Sequence, residues 1–169
     1  MRQIFTMDIQ DYAADWPVYT RPSVRGLVIR DGKILMIHSM KYDYYKFPGG
    51  GMEPGEELEG ALCREVSEES GYLVVADSIR EYGLVLRRSK GEGQWIFHQE
   101  NFYYLCDVAE RSGQHLDDYE AEEGFTPEWI APEEAIHTNR FHDHGGEWGV
   151  VQERECLVLE ALIREGYFS

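Results

Sequence analysis

Three glutamates dominate the chemistry open to this chain. Glu65, Glu68 and Glu69 stand at i, i+3 and i+4, so on a helix they are neighbours on one surface and repel. Glu68 and Glu69 also fall in the last turn, where the helix dipole disfavours negative charge. Leu58, Ala61 and Leu62 set an apolar stripe, and the acids continue it. Arg64 is the only base in the segment. A helix that accepts this much repulsion has a use for a cation. Clustered hard oxygens suit Mg2+, with Mn2+ as the alternative, and phosphate oxygens commonly complete such a shell. The plainer reading, a solvated acidic face, would put the acids opposite the apolar stripe rather than on it.

The elements that position these acids can be read around them. Pro54-Gly55 is a turn signal and Gly71 a helix stop, which bounds the helix. Gly49, Gly50 and Gly51 precede it and let the backbone come close to a ligand. Upstream, Ser23–Arg30 and Lys33–Ser39 read as strands joined by an Asp31-Gly32 hairpin turn. Both are apolar on two faces, which predicts a sheet covered on both sides. Arg25 interrupts the first run, either as a strand-end charge or as a phosphate or base contact. Tyr42, Tyr44, Tyr45 and Phe47 follow; they pack in the core or, Tyr45 and Phe47 above all, stack on a substrate ring.

Downstream, residues 73–76, 79–88 and 94–107 read as strands, the last two joined by a turn-rich loop. His98 reads as a structural histidine more than a base. Residues 116–124 read as a solvated acidic loop, and Trp129-Ile130 as the last strand. Pro132 opens a short helix. His137, His142 and His144 share the next loop, without the spacing of a zinc motif. Glu147–Glu165 reads as an amphipathic helix with Val151, Val158 and Leu162 inward. The fold expected is α/β, a mixed β-sheet sandwiched between α-helices. Residues 1–22, interrupted by Pro17 and Pro22, read as an N-terminal arm that covers the sheet or contributes to a homodimer, and 23–169 as one domain.

Composition narrows the function. The net charge of -16 argues against a nucleic-acid polymer as partner, while a small phosphorylated substrate remains compatible if a metal supplies local positive charge. No signal-peptide pattern and no membrane-length apolar run is read, so the expectation is a soluble cytoplasmic protein without a membrane partner. Cys63, Cys106 and Cys156 form no CxxC pair and read as small buried residues.

The long spacing Gly50-x5-Glu56-x7-Arg64-Glu65-Val66-x-Glu68-Glu69-x-Gly71-Tyr72 resembles the Nudix box of the Nudix hydrolase superfamily, MutT-like. It departs only at Tyr72, where the family usually has an aliphatic residue. Phe47-Pro48-Gly49 and Glu53-Pro54-Gly55 resemble the family's usual surroundings, and the likeness runs over residues 23–165. The resemblance implies a Nudix fold and metal-dependent cleavage of a diphosphate linkage in a nucleoside diphosphate joined to another moiety. It implies that Glu65, Glu68, Glu69 and the Gly49 carbonyl hold Mg2+. It also implies that Gly50, Glu56, Arg64 and Gly71 are structural. The run Glu123-Gly124-x3-Glu128-Trp129 is similar to the place where dNTP-hydrolysing members carry a further acid. That makes Glu123 a candidate metal ligand or base, with Glu120 as fallback. The general base is one of Glu65, Glu68 and Glu123. A nucleoside triphosphate, oxidised forms included, is the default substrate; ADP-ribose or a nucleotide sugar is the alternative. A non-catalytic nucleotide- or protein-binding module is the rival reading.

Overall fold

The computed structural model describes residues 1–146 and 149–169. A five-stranded mixed sheet forms its centre. Its strands are β1 (Gln3–Asp8), β2 (Val18–Leu27), β6 (Gly49–Gly51), β8 (Arg80–Lys90) and β9 (Ile96–Leu105), in the order β1-β8-β9-β2-β6. The β1/β8 and β2/β9 pairs are parallel, and β8/β9 and β2/β6 antiparallel. A second sheet orders β11 (Phe125–Ile130), β4 (Lys33–Ser39) and β3 (Ile29–Arg30), with β5 (Tyr44–Lys46) on β4. A small ribbon pairs β7 (Tyr72–Val74) with β10 (Val108–Arg111). The helices are α1 (Leu58–Ser70), α2 (Asp118–Glu123), α3 (Pro132–Phe141) and α4 (Gly149–Arg164).

Strand periodicity sorts the side chains into two cores. On one face Val24, Val28 and Tyr104 pack against Ala61, Leu62 and Val66 of α1. On the other, Leu27, Tyr103 and Val85 pack against Val158, Leu159 and Leu162 of α4. Successive residues such as Tyr103 and Tyr104 therefore serve opposite cores. The Asp31-Gly32 hairpin forms as expected, with Ile29 opposite Ile34 and positive φ at both turn residues.

Several expectations are corrected. Residues 1–22 do not stand apart as an arm: β1 and the first half of β2 belong to the central sheet. Pro22 sits inside β2, where its carbonyl rather than a missing N–H carries the bond, accepting from the Met52 amide at 3.2 Å. The acidic stretch is not wholly a solvated loop. Asp117 and Glu120 form a capping box that starts α2, and Glu120 and Glu123 are buried. His137 lies on α3, not in the loop with His142 and His144. The expected start of the C-terminal helix at Glu147 falls outside the described residues. Cys106 and Cys156 are buried and Cys63 half-buried, all as free thiols.

Candidate active site

The helix that carries the acids is anchored at its C-terminal end and along its buried face. Gly71 closes it in the left-handed conformation, φ 77°, its N–H donating to the Ser67 carbonyl. Ala61, Leu62 and Val66 hold its buried face, which turns Glu65 and Glu68 toward the glycine strand β6. There a Cβ on Gly50 would lie 2.5 Å from Glu65 Oε2, so the backbone can approach the carboxylate only at a glycine. Gly49 takes φ 146°, and a Cβ there would collide with the Val24 carbonyl.

Arg64 distributes its fork over four partners. Nε and Nη2 grip Glu56 at 2.7 and 2.9 Å. Nη1 donates to Glu65 Oε1 at 2.8 Å and to Glu68 Oε2 at 3.2 Å, and Nη2 to the Gly51 carbonyl at 3.2 Å. Glu56, which also accepts the Glu53 N–H, is held down to about 2, chiefly by the Arg64 guanidinium. Burial pushes the Glu65 carboxyl above its ordinary range, against the pull of Arg64. Part of the repulsion among the acids is thus relieved by Arg64 itself.

Glu69 has a different task from its neighbours. It is 1% exposed; Oε1 takes the Lys46 ammonium at 2.6 Å and Oε2 the Gly49 N–H at 2.9 Å. Burial raises its carboxyl, and Lys46 and the Gly49 amide oppose that. Both oxygens of Glu69, expected as a metal ligand, also tie the glycine strand and Lys46 to α1. The Gly49 carbonyl, also expected on the metal, accepts from Arg25 Nη1 at 2.8 Å and lies 3.5 Å from Lys46 Nζ.

A cleft of about 500 Å3 opens beside these groups. Glu65, Glu68 and Glu120 line it together with Arg21, Arg25 and Lys46. Glu120 reaches it because its carboxylate is held by the Asp117 N–H at 2.8 Å and the Tyr119 hydroxyl at 3.1 Å. Among the described residues no His, Cys, Asp and Glu side chains already stand in a three-ligand metal geometry. The donor chemistry fits a hard cation: the carboxylates at the cleft supply only oxygen, and Glu68 is partly exposed and able to turn.

Other candidates lie elsewhere. Glu123 faces an inner chamber rather than this cleft and accepts from Ser39 Oγ at 3.0 Å and the Tyr44 hydroxyl at 3.3 Å. Phe47 is fully buried, edge-on to Tyr103, and offers no surface to a substrate. Tyr45 is buried as well, stacked on His38 with its hydroxyl donating to Glu128 at 2.7 Å. Both are core residues, a correction to their reading as stacking platforms. Arg25 is neither a strand-end surface charge nor remote: it is 7% exposed and lines the cleft. His142 pairs with Asp43 at 2.6 Å, while the ring nitrogens of His144 meet the Tyr42 and Asn139 carbonyls. Tyr72 fills its box position edge-on to Trp129, whose Nε1 donates to the Tyr72 hydroxyl at 3.2 Å. Sequence reasoning missed Arg21 and Lys46. The available signals were the alternation Arg21, Ser23, Arg25 and a lone lysine among the aromatics before the glycines.

The NUDIX domain family model matches residues 20–148. Human diphosphoinositol polyphosphate phosphohydrolase 3-alpha is 31% identical over 122 residues, covering 67% of this chain and 63% of that protein. The mouse 3-alpha protein is 51% identical over 43 residues, 25% of this chain and 26% of that protein. The chain thus spans less than two thirds of the length of these relatives. A NUDIX hydrolase from Nitrosomonas europaea superposes with a TM-score of 0.60 at 19% identity, over 81% of this chain and 88% of that one. A MutT structure from work on Aliivibrio salmonicida and Vibrio cholerae gives 0.56 at 18%, over 87% and 99%. At these identities the structural likeness is one of fold. The family match contains the glycine strand, the Arg64 fork and Glu65, Glu68 and Glu69 of α1, and the chain belongs to the NUDIX domain family.

Proposed function

We propose that this protein is a divalent-cation-dependent hydrolase that cleaves a diphosphate linkage in a small, multiply phosphorylated molecule. The observation that carries the reading is that Glu65, Glu68 and Glu120 line one cleft together with Arg21, Arg25 and Lys46. The carboxylates would hold Mg2+ or Mn2+, and the cations would hold phosphoryl oxygens. The bound ion would supply charge neutralisation and a more acidic water. Glu65 and Glu68 stand where that water would lose its proton, and Arg64 keeps both oriented. Glu120 takes the place first given to Glu123.

The cleft favours phosphate density over a nucleobase. Tyr45 and Phe47 are buried, which removes the expected stacking surface. The names of the matched human and mouse proteins point to one such class, diphosphoinositol polyphosphates. A nucleoside triphosphate stays as the second reading because Tyr119, 57% exposed, stands at the cleft and could meet a base.

The test is a panel of diphosphoinositol polyphosphates, nucleoside triphosphates, ADP-ribose and nucleotide sugars, with Mg2+, with Mn2+ and with chelator, products identified by mass. Cation-dependent cleavage is expected, and Glu68→Gln should lower kcat by about 100-fold or more with circular dichroism unchanged. Wild-type turnover in that variant would sink the assignment of α1 as the ion-binding element. Silence across the panel, with no Mg2+ binding by calorimetry, would leave a binding module in its place.

A further inference from the structure

Beside the cleft lies a second, smaller chamber of about 140 Å3, many times the roughly 10–15 Å3 that one water needs. The two spaces share Arg25, Lys46, Gln99 and Tyr119, so they adjoin. The strand register explains the chamber's lining. Arg21 is opposite Gln99, Ser23 opposite Asn101, and Gln99 opposite Arg87. All these side chains leave the sheet on the α4 face, where apolar residues would otherwise continue the core. From α4, Arg154 comes down onto them, 2% exposed. Its Nη1 donates to Gln99 and Asn101, each at 3.2 Å, and its Nη2 to Glu155 at 2.5 Å.

The charges do not balance within the chamber. Lys46 is committed to Glu69 and Arg154 to Glu155. Arg25 and Arg87 pair with no carboxylate among the described residues. The Nε groups of Arg25, Arg87 and Arg154 are all buried without an acceptor. Such orphan donors are costly unless something accepts from them. Burial and the neighbouring Arg154 both pull the Arg87 guanidinium below its usual range, as like charges facing one gap should.

We propose that this chamber receives a second phosphoryl group, a tetrahedral oxyanion held by Arg25, Arg87 and Arg154 while another phosphate lies at the carboxylates of the cleft. A phosphate offers several acceptor oxygens in a compact volume to the guanidinium groups of Arg25, Arg87 and Arg154 that line the space. The inference deepens the proposed hydrolase reading and rests on it for the source of the ligand. The substrate would then carry at least one phosphate beyond the linkage that is cut. Free orthophosphate shares the same chemistry and could fill the chamber as a released product. Glu123 lines the chamber too and opposes an anion there.

The experiment measures binding of orthophosphate and tripolyphosphate by calorimetry in chelator, where neither turnover nor a metal bridge contributes. Arg87→Gln should weaken tripolyphosphate binding by about tenfold or more. Arg87 is chosen over Arg154 because its loss strands no buried carboxylate. Glu123→Gln keeps an oxygen for Ser39 and Tyr44 while removing the opposing charge, and should tighten binding. Tripolyphosphate binding well above orthophosphate, with both weakened by Arg87→Gln, identifies a distal phosphate of the substrate as the occupant. A response of orthophosphate alone identifies free phosphate. The proposal fails if the wild type binds neither probe, or if Arg87→Gln and Glu123→Gln both stay within about twofold of wild type. Glu68→Gln removes a like charge from the cleft and in chelator should weaken neither probe, so loss of catalysis and loss of the chamber are read separately.

Discussion

Lys46→Met tests the internal tie that seats the glycine strand. The substitution keeps most of the side-chain volume and removes the ammonium 2.6 Å from Glu69 Oε1. Glu69, 1% exposed, would keep only the Gly49 N–H. Breaking one half of a buried pair typically costs about 3–5 kcal/mol. Glu69 can limit that cost by taking a proton, so the loss must depend on pH. Burial already raises its folded-state pKa above the ordinary 4.5, and removing Lys46 raises it further. A carboxyl with a raised folded pKa is bound to more proton in the folded than in the unfolded state. Stability therefore falls as pH rises from the unfolded pKa toward the folded one. The slope approaches about 1.4 kcal/mol per pH unit, so the variant should lose about 2.7 kcal/mol between pH 5 and pH 7 relative to a pH-independent background. Urea unfolding of wild type and variant at pH 5, 6 and 7 measures this. Lys46→Met combined with Glu69→Leu should recover most of the loss and flatten the pH dependence. A Lys46→Met penalty below about 1 kcal/mol at pH 7 would refute the tie.

Three further outcomes follow from the same geometry. Gly50→Ala puts a methyl 2.5 Å from Glu65 Oε2, and should lower kcat by about tenfold or more while costing about 1–3 kcal/mol, read by turnover and thermal melting. Glu56, held at about 2 by Arg64, contributes stability that is present above its ordinary 4.5 and lost as pH falls toward 2. Glu56→Gln should flatten that limb of the acid-unfolding curve while leaving the neutral-pH limb in place. Raising ionic strength from 0.01 to 0.1 M shortens the screening length from about 30 to about 10 Å. With a net charge of -16, kcat/KM for an anionic substrate should then rise, and a steady fall with salt would show that the cleft's own cations govern encounter.

The parts of this protein that obey local rules were legible before the structure. The helix between Pro54 and Gly71 has an apolar stripe, a turn and a left-handed stop, each a short-range signal. The Asp31-Gly32 hairpin and the long β8/β9 hairpin are equally local. What escaped was set by pairing across the chain. Parallel β2/β9 pairing carries the strand back past Pro22 to Val18, and no property of residues 18–22 alone reports that partner. Tyr45 and Phe47 read as platforms because they adjoin the glycines, yet they face the α4 core with Leu27 and Tyr103. Glu120 and Glu123 looked alike as acids in a polar run. Only the turn of α2 sends the first to the cleft and the second to the chamber. The tie of Glu69 to Lys46 was not legible, because Lys46 is 23 residues away, on β5.

The same long-range pairing explains how so acidic a chain could take a polyanion. A net charge of -16 spread over the surface repels such a ligand at a distance, but screening confines that penalty to the approach. At contact the local set decides. Arg21 and Arg25 come from β2, Lys46 from β5, Arg87 from β8 and Arg154 from α4, and they meet on one side of the sheet. Their inward positions leave the outer surface still poorer in positive charge than the net value implies. Glu69 and Glu155, each buried against one of these cations, keep the cluster from repelling itself apart. Arg21, Arg25 and Arg87 are left without that compensation among the described residues, and the space lined by Arg25, Arg87 and Arg154 is where an anion gains most.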